Sequence, residues 1–437
     1  MISTPIRDFA ESYREKKTAR FHMPGHKGRL RLGCEDRDLT EFTGADDLYH
    51  ASGIIAESEG NATGLFGWPT VYSTEGSSLC IQAMLLLVYR ASGCKGRILA
   101  GRNAHKTFLN TAILLDFPIR WLWTGEDYLS CPVTPEQVEC AILEEGEKPF
   151  GVYLTSPDYL GNLCDIAGIA RVCHRYGVPL LVDNAHGAYL KFLPESRHPM
   201  DLGADYCCDS AHKTLPVLTG GAYLHVRQEG QRQEAKDAMA LFGSTSPSYL
   251  IMQSLDLANP YLEALPQTLQ AFAPQVAALK GKLLARGFTL AGEELLKLTW
   301  VTPSWGYTGE EIGELLERRG IYCEFRDERH IVFMFTPDNS PMDLERLWQA
   351  LEAIPQRKAL REKPLLRVQP WQVLSPRQAA LAPRERIPVE ESAGRVLAQA
   401  NVSCPPAVPI VMCGEEIGED LIPILRAYGT QWVEVVK

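Results

Sequence analysis

The feature that most constrains this chain is a series of short apolar segments, each closing on small or polar residues, that recurs from about residue 60 to 226. RILAG (97–101), GVYLTS (151–156), PLLVDN (179–184), DYCCDS (205–210) and GAYLHV (221–226) read as buried strands with helical stretches between them. Such alternation folds into a mostly parallel sheet covered by helices, because parallel neighbours need a crossover long enough to hold a helix. The expected fold class is therefore α/β. In open sheets of this class, ligands collect beyond the carboxyl ends of the strands. Those ends carry Asn103 to His105, Ser156 to Asp158, Asp183 to His186 and Ser210 to Lys213, so the chemistry is expected there.

The same pattern suggests the domain plan. Residues 1–40 form an N-terminal arm and 41–256 a large domain. From 257 to 355 the text changes to helices such as TLQAFAPQVAALKGKLLARG and shorter strand candidates, KLTWVTP and HIVFMF, which predict a smaller α+β domain. Residues 356–386, rich in Pro and Arg, read as a connector, and 387–437 as a short C-terminal domain with a helix candidate, VEESAGRVLAQA. At 437 residues and 45% hydrophobic, the chain is long enough to bury more than one core.

Charge and cysteine usage narrow the function classes. A formal net charge of −10 argues against a general nucleic-acid surface, which needs clustered Lys and Arg to displace counterions. No apolar run reaches the roughly 18–20 residues that cross a bilayer, and the longest, 81–89, suits a buried helix. The polar start, MISTPIRDFAESYREKK, predicts no signal peptide, hence a cytoplasmic location and twelve reduced cysteines. No CxxC pair occurs, and Cys207 and Cys208 fall on opposite faces of a strand, so no metal site is expected. On that expectation the Asn61-Ala-Thr63 sequon carries no weight.

Four elements point to one chemistry. Lys213, in Ser210-Ala-His-Lys213-Thr, stands where a strand gives way to a turn; a desolvated amine there is a nucleophile toward a carbonyl. Asp183 closes the preceding strand, in Leu181-Val-Asp183-Asn-Ala-His186-Gly, and offers the carboxylate that keeps a pyridine nitrogen protonated. Gly76-Ser77-Ser78 opens an apolar helix, where backbone amides and hydroxyls suit a phosphate dianion. His105 follows a strand and offers a flat ring for stacking. Singly, each has a plainer reading: a surface lysine, a helix N-cap, a capping sequence, a solvated histidine. Jointly they describe pyridoxal 5'-phosphate.

These residues, with Phe21-His-Met-Pro-Gly-His-Lys-Gly28, the segment from Asp38 to Leu48, and Ser244-Thr-Ser-Pro-Ser-Tyr249, resemble the bacterial ornithine/lysine/arginine decarboxylases of the aspartate-aminotransferase fold (type I). The resemblance implies a Schiff base on Lys213, Asp183 on the pyridine nitrogen, His105 stacked on the ring, and phosphate contacts from Ser77, Ser78, Ser210 and His212. Gly76, Ser156, Ala185 and His186 complete the expected cofactor contacts. It implies a mostly parallel seven-stranded sheet, a short type without the large members' N-terminal wing, and a homodimer or dimer-based oligomer whose active site lies at the interface. There the 244–249 segment would contact the neighbour's cofactor. The family's C-terminal pattern, Tyr-Pro-Pro-Gly-Ile-Pro and then Pro-Gly-Glu, reads here as Cys404-Pro-Pro-Ala-Val-Pro409 and Cys413-Gly-Glu415, with Ala407 and Cys413 as departures. Glu415 and His26 are the expected substrate contacts. The implied reaction is decarboxylation of arginine, lysine or ornithine, a step of polyamine biosynthesis, with Lys213 or His212 returning a proton to the α carbon. Transamination, β-elimination on the same fold and a catalytically silent regulatory paralogue stay open as alternatives.

Overall fold

The computed structural model describes residues 2–125, 128–360, 367–400 and 408–437. The chain divides into two compact units. The first comprises Met1–Lys95, Phe150–Val152 and Ile166–Leu269; the second comprises Gly96–Pro149, Tyr153–Asp165 and Gln270–Lys437.

Seven strands, β1 (Thr70–Ser73), β2 (Ile98–Gly101), β3 (Ile119–Leu122), β4 (Gly151–Thr155), β5 (Leu180–Asp183), β6 (Tyr206–Asp209) and β7 (Ala222–Val226), form a sheet of order β1-β7-β6-β5-β4-β2-β3. β2 runs parallel to β3 and β5 to β6, while β7 is antiparallel to both its neighbours, β1 and β6. All five strands read from the sequence are present. β1 and β3 are the additions: TVYS is short and three of its four side chains carry a hydroxyl, and IRWL is only partly buried, so neither has the continuous apolar run of a central strand.

In the first unit, Gly76–Ala91 is apolar on every side, with Leu79, Ile81, Met84 and Leu85 buried, as a helix enclosed in a core must be. Ile166–Arg175 instead carries a stripe, Ile166, Ile169, Ala170 and Cys173, spaced to fall on one face. The 37-residue helix Tyr249–Ala285, whose residues to Leu269 belong to the first unit, includes Pro260, Pro266 and Pro274. Each proline forfeits a backbone donor. The helix persists because Leu255, Leu262, Leu265, Leu269 and Leu279 are all buried along it, each worth about 1.5–3 kcal/mol on burial.

In the second unit, β8 (Thr289–Ala291), β9 (Lys297–Val301), β10 (Phe325–Arg326) and β11 (His330–Met334) make an antiparallel sheet of order β10-β11-β9-β8. Both strand candidates there are realised. β12 (Arg384–Pro388) pairs antiparallel with β13 (Trp432–Val436). Pro376–Leu381, within the expected connector, is a helix started by a reciprocal cap between Ser375 and Gln378.

The expected helix over VEESAGRVLAQA is not formed. Val389–Glu391 is a single 3-10 turn, Ser392 Oγ donates to the Val389 carbonyl, and Gly394 takes a left-handed φ of +74°. The amides of Leu397 and Ala398 then donate to Glu415 and Glu434. The apolar residues Val396, Leu397 and Ala398 thus serve extended pairing rather than one helix face.

Candidate active site

The start of the Gly76–Ala91 helix is not capped by any side chain. Gly76 has φ +71°, and a Cβ there would meet nothing within 4 Å. Ser77 and Ser78 follow in the first turn, where backbone donors and the helix dipole favour an anion. Ser210, just beyond β6, donates its hydroxyl to Ser77 Oγ at 2.8 Å, so the end of β6 reaches the helix start.

Asp183 closes β5 in register with Cys208 of β6 and is 2% exposed. Its Oδ1 accepts the Ala185 amide at 3.2 Å and the Cys208 thiol at 3.6 Å. Lys213 lies in the short turn of helix Ala211–Thr214, with Nζ 3.2 Å from Nε2 of buried His186. His212 Nδ1 donates to the Gly221 carbonyl at 3.0 Å, which fixes that tautomer and orients the ring. The first unit therefore brings together nine of the expected residues: Gly76, Ser77, Ser78, Asp183, Ala185, His186, Ser210, His212 and Lys213. Proximity of Cys208 to Asp183 was missed in the sequence, and only the strand register reveals it.

Other expected residues have settled partners. In the first unit, His26 is closed within its own loop: Nε2 meets Asp38 at 3.2 Å and Nδ1 accepts the Gly28 amide at 3.0 Å. Tyr249 is fully buried and donates to the Asp46 carbonyl at 2.7 Å, whereas Ser244, Thr245 and Ser246 are exposed. In the second unit, exposed His105 is the N-cap of helix Lys106–Leu115, its Nδ1 accepting the Thr107 amide at 3.3 Å. Ser156 is buried and accepts the Cys164 amide at 3.1 Å.

Glu415 corrects its expectation. It borders a cleft of ≈640 Å³ that Trp121, Trp123, Glu136 and Trp371 also line. Its carboxylate, however, is 2% exposed and held by both terminal nitrogens of Arg102, at 2.5 and 2.6 Å, and by the Met412 amide at 2.7 Å. The cation on Glu415 is thus one of the chain's own. Arg102 is fully buried and stacks 4.3 Å from the Trp123 ring centroid. Cys413 is packed away, its thiol donating to the carbonyls of Pro376 and Ala398. Ala407 lies outside the described residues.

Against known families, residues 4–271 match the Orn/Lys/Arg decarboxylase major domain and 356–430 the C-terminal domain of the same family. The chain belongs to the Orn/Lys/Arg decarboxylase family. Among individual proteins, it is 30% identical to an arginine decarboxylase of Bacillus subtilis over 96% of this chain and 92% of that one. An arginine decarboxylase of Bacillus anthracis is 29% identical over 97% and 92%, and an uncharacterised Bacillus subtilis protein, YaaO, 28% over 96% and 93%. In fold, the constitutive lysine decarboxylase of E. coli superposes with a TM-score of 0.81 at 18% identity, covering all of this chain and 82% of that one. A rice TDC structure with PLP gives 0.57 over 68% and 74%. Membership of the decarboxylase family makes this chain a pyridoxal-phosphate-dependent carboxy-lyase for a basic amino acid. The first unit fits that cofactor: an amine, a buried carboxylate and an uncapped helix start flanked by hydroxyls are what its aldehyde, ring nitrogen and phosphate require.

Among the described residues, no helix is long and apolar enough to cross a membrane.

Proposed function

We propose that this enzyme decarboxylates arginine. The observation that carries the reading is the meeting of Lys213, His186 and Asp183 at the ends of β5 and β6, in a chain that matches arginine decarboxylases along nearly its whole length.

Lys213 is the covalent attachment point for the cofactor. The amides of Ser77 and Ser78, with the hydroxyls of Ser77 and Ser210, hold its phosphate, while the Gly76 amide is taken by the Gly220 carbonyl at 2.7 Å, and buried Asp183 holds a proton on its ring nitrogen by opposing charge. His212, anchored on Gly221, adds a donor on the phosphate side. Bound pyridoxal phosphate supplies an electron sink for the pair left at the α carbon when carbon dioxide departs. Lys213 Nζ and His186 Nε2, 3.2 Å apart, would hold the proton that the α carbon gains in exchange for its carboxylate. Asp183 is buried from water, which strengthens its charge interaction.

The enzyme works as a homodimer. Phe21, Met23, Leu30 and Leu32 of the N-terminal arm are strongly exposed although the loop carrying them is ordered by Glu35, whose carboxylate accepts four successive amides. A second copy would cover that apolar surface.

The test is to saturate the protein with pyridoxal phosphate, offer arginine, lysine and ornithine in turn, and measure carbon dioxide and amine. Arginine is expected to give both in equal amounts, at the highest kcat/KM of the three. Faster turnover of lysine or ornithine would overturn the substrate, and keto-acid formation without carbon dioxide would overturn the reaction.

A further inference from the structure

A fully buried polar cluster in the first unit plays no part in that chemistry. Asp209 ends β6 and is 0% exposed, yet three side-chain nitrogens converge on it: His198 Nε2 at 3.1 Å, His225 Nε2 at 3.1 Å and Asn184 Nδ2 at 2.6 Å. Burial would raise its carboxyl, but His198 and His225 hold it well below the ordinary carboxylate range. His198, Cys207 and Asp209 present ligand atoms within 4.8 Å of one another, the spacing of a metal site. Hydrogen bonds account for the arrangement instead. His198 Nδ1 accepts the Met200 amide, so its Nε2 carries the proton given to Asp209, and His225 Nδ1 meets Thr70 Oγ1 at 2.8 Å.

The cluster reaches the candidate active site through Asn184, the residue after Asp183. The Asn184 backbone amide donates to the Cys208 carbonyl, and its own carbonyl accepts the Gly187 amide. A Cβ at residue 187 would lie 2.0 Å from Asn184 Oδ1, so the turn is moulded around this side chain. Asn184 Oδ1 is buried and accepts no hydrogen bond from the protein. What the amide gains is its short bond to Asp209, which immediately precedes Ser210 and stands four positions before Lys213. We propose that Asn184, Asp209, His198 and His225 are positioning residues that lock the turn carrying Asp183 and His186 against the turn carrying Ser210 and Lys213. They touch neither cofactor nor substrate, and the inference rests on the cofactor site proposed above.

The experiment uses the cofactor-loaded protein and reads the rate at which the visible cofactor band decays after dilution into a cofactor trap, alongside kcat, KM and melting temperature. Asn184→Ala and His225→Leu are expected to speed cofactor release by about tenfold or more, the scale of one lost hydrogen bond to a charged group, and to lower kcat with KM little changed. His225→Gln, which keeps a donor nitrogen, should restore the parent release rate. If Asn184→Ala and His225→Leu lower the melting temperature but leave release rate and band position as in the parent, the network is structural and the proposal falls. The control separates the two ideas: a parent protein with no band lost on Lys213→Ala overturns the cofactor site itself, whereas a sound control with unchanged variants overturns only the network.

Discussion

Substituting Arg102→Met tests how the C-terminal segment is held in the second unit. The change removes both bonds to Glu415 and leaves its carboxylate, 2% exposed, with the Met412 amide as its donor. A buried charge stripped of its partner costs about 3–5 kcal/mol, and lost stacking on Trp123 adds about 0.5–2 kcal/mol. Arg102→Met with Glu415→Leu leaves no buried charge at all and should recover most of the loss, because apolar replacement of a buried pair is often nearly neutral. Because Glu415→Leu alone strands buried Arg102 at a similar cost, the double-mutant cycle should show a coupling of about 5 kcal/mol or more. Guanidinium titration followed by tryptophan fluorescence reads it, since Trp121 and Trp123 flank the guanidinium. A loss below about 1 kcal/mol for Arg102→Met, the scale of an exposed ion pair, or strictly additive losses, would refute the reasoning.

Three other outcomes are expected. Asp256, buried and bonded to Ser58 Oγ and the Arg7 amide, has its carboxyl pushed up by burial to about 6, above its value in the unfolded chain, so its ionisation destabilises the fold as pH rises from about 4 through 6. Asp256→Asn should thus raise the unfolding midpoint at pH 8, by up to about 3 kcal/mol, and give no such gain at pH 4; equal effects at both would contradict this. Under native conditions an alkylating reagent should modify exposed Cys94 and Cys140 and spare Cys173 and Cys413, whose thiols burial pushes up to about 12; peptide mapping that finds the latter pair modified first would refute it. Asp183→Asn should keep the visible cofactor band and lower kcat by about 100-fold or more, because an amide cannot hold the ring proton; near-parental turnover would exclude that role.

Legibility in the sequence followed the range of the interactions. Strands such as PLLVDN and GAYLHV announced themselves because a strand buried on both faces is a continuous apolar run, and the residues at their ends followed. Asp183 and Lys213 are 30 residues apart, and their meeting follows from β5 and β6 lying side by side and parallel. Glu415 misled because its partner, Arg102, is 313 positions away, and nothing local distinguishes a carboxylate awaiting a ligand from one already paired. The tail misled for the opposite reason: VEESAGRVLAQA has helical spacing, but pairing of Leu397 and Ala398 with distant strands overrode it. Asn184 and Asp209 drew no notice because a buried network is invisible until each donor is matched to its acceptor.

The most direct test of Lys213 is to reduce the cofactor-loaded protein with borohydride and map the modified peptide by mass spectrometry. A single adduct on Lys213, abolished by Lys213→Ala together with carbon dioxide release, is the predicted result. An adduct on another lysine, or full decarboxylation by the Lys213→Ala protein, would contradict the account.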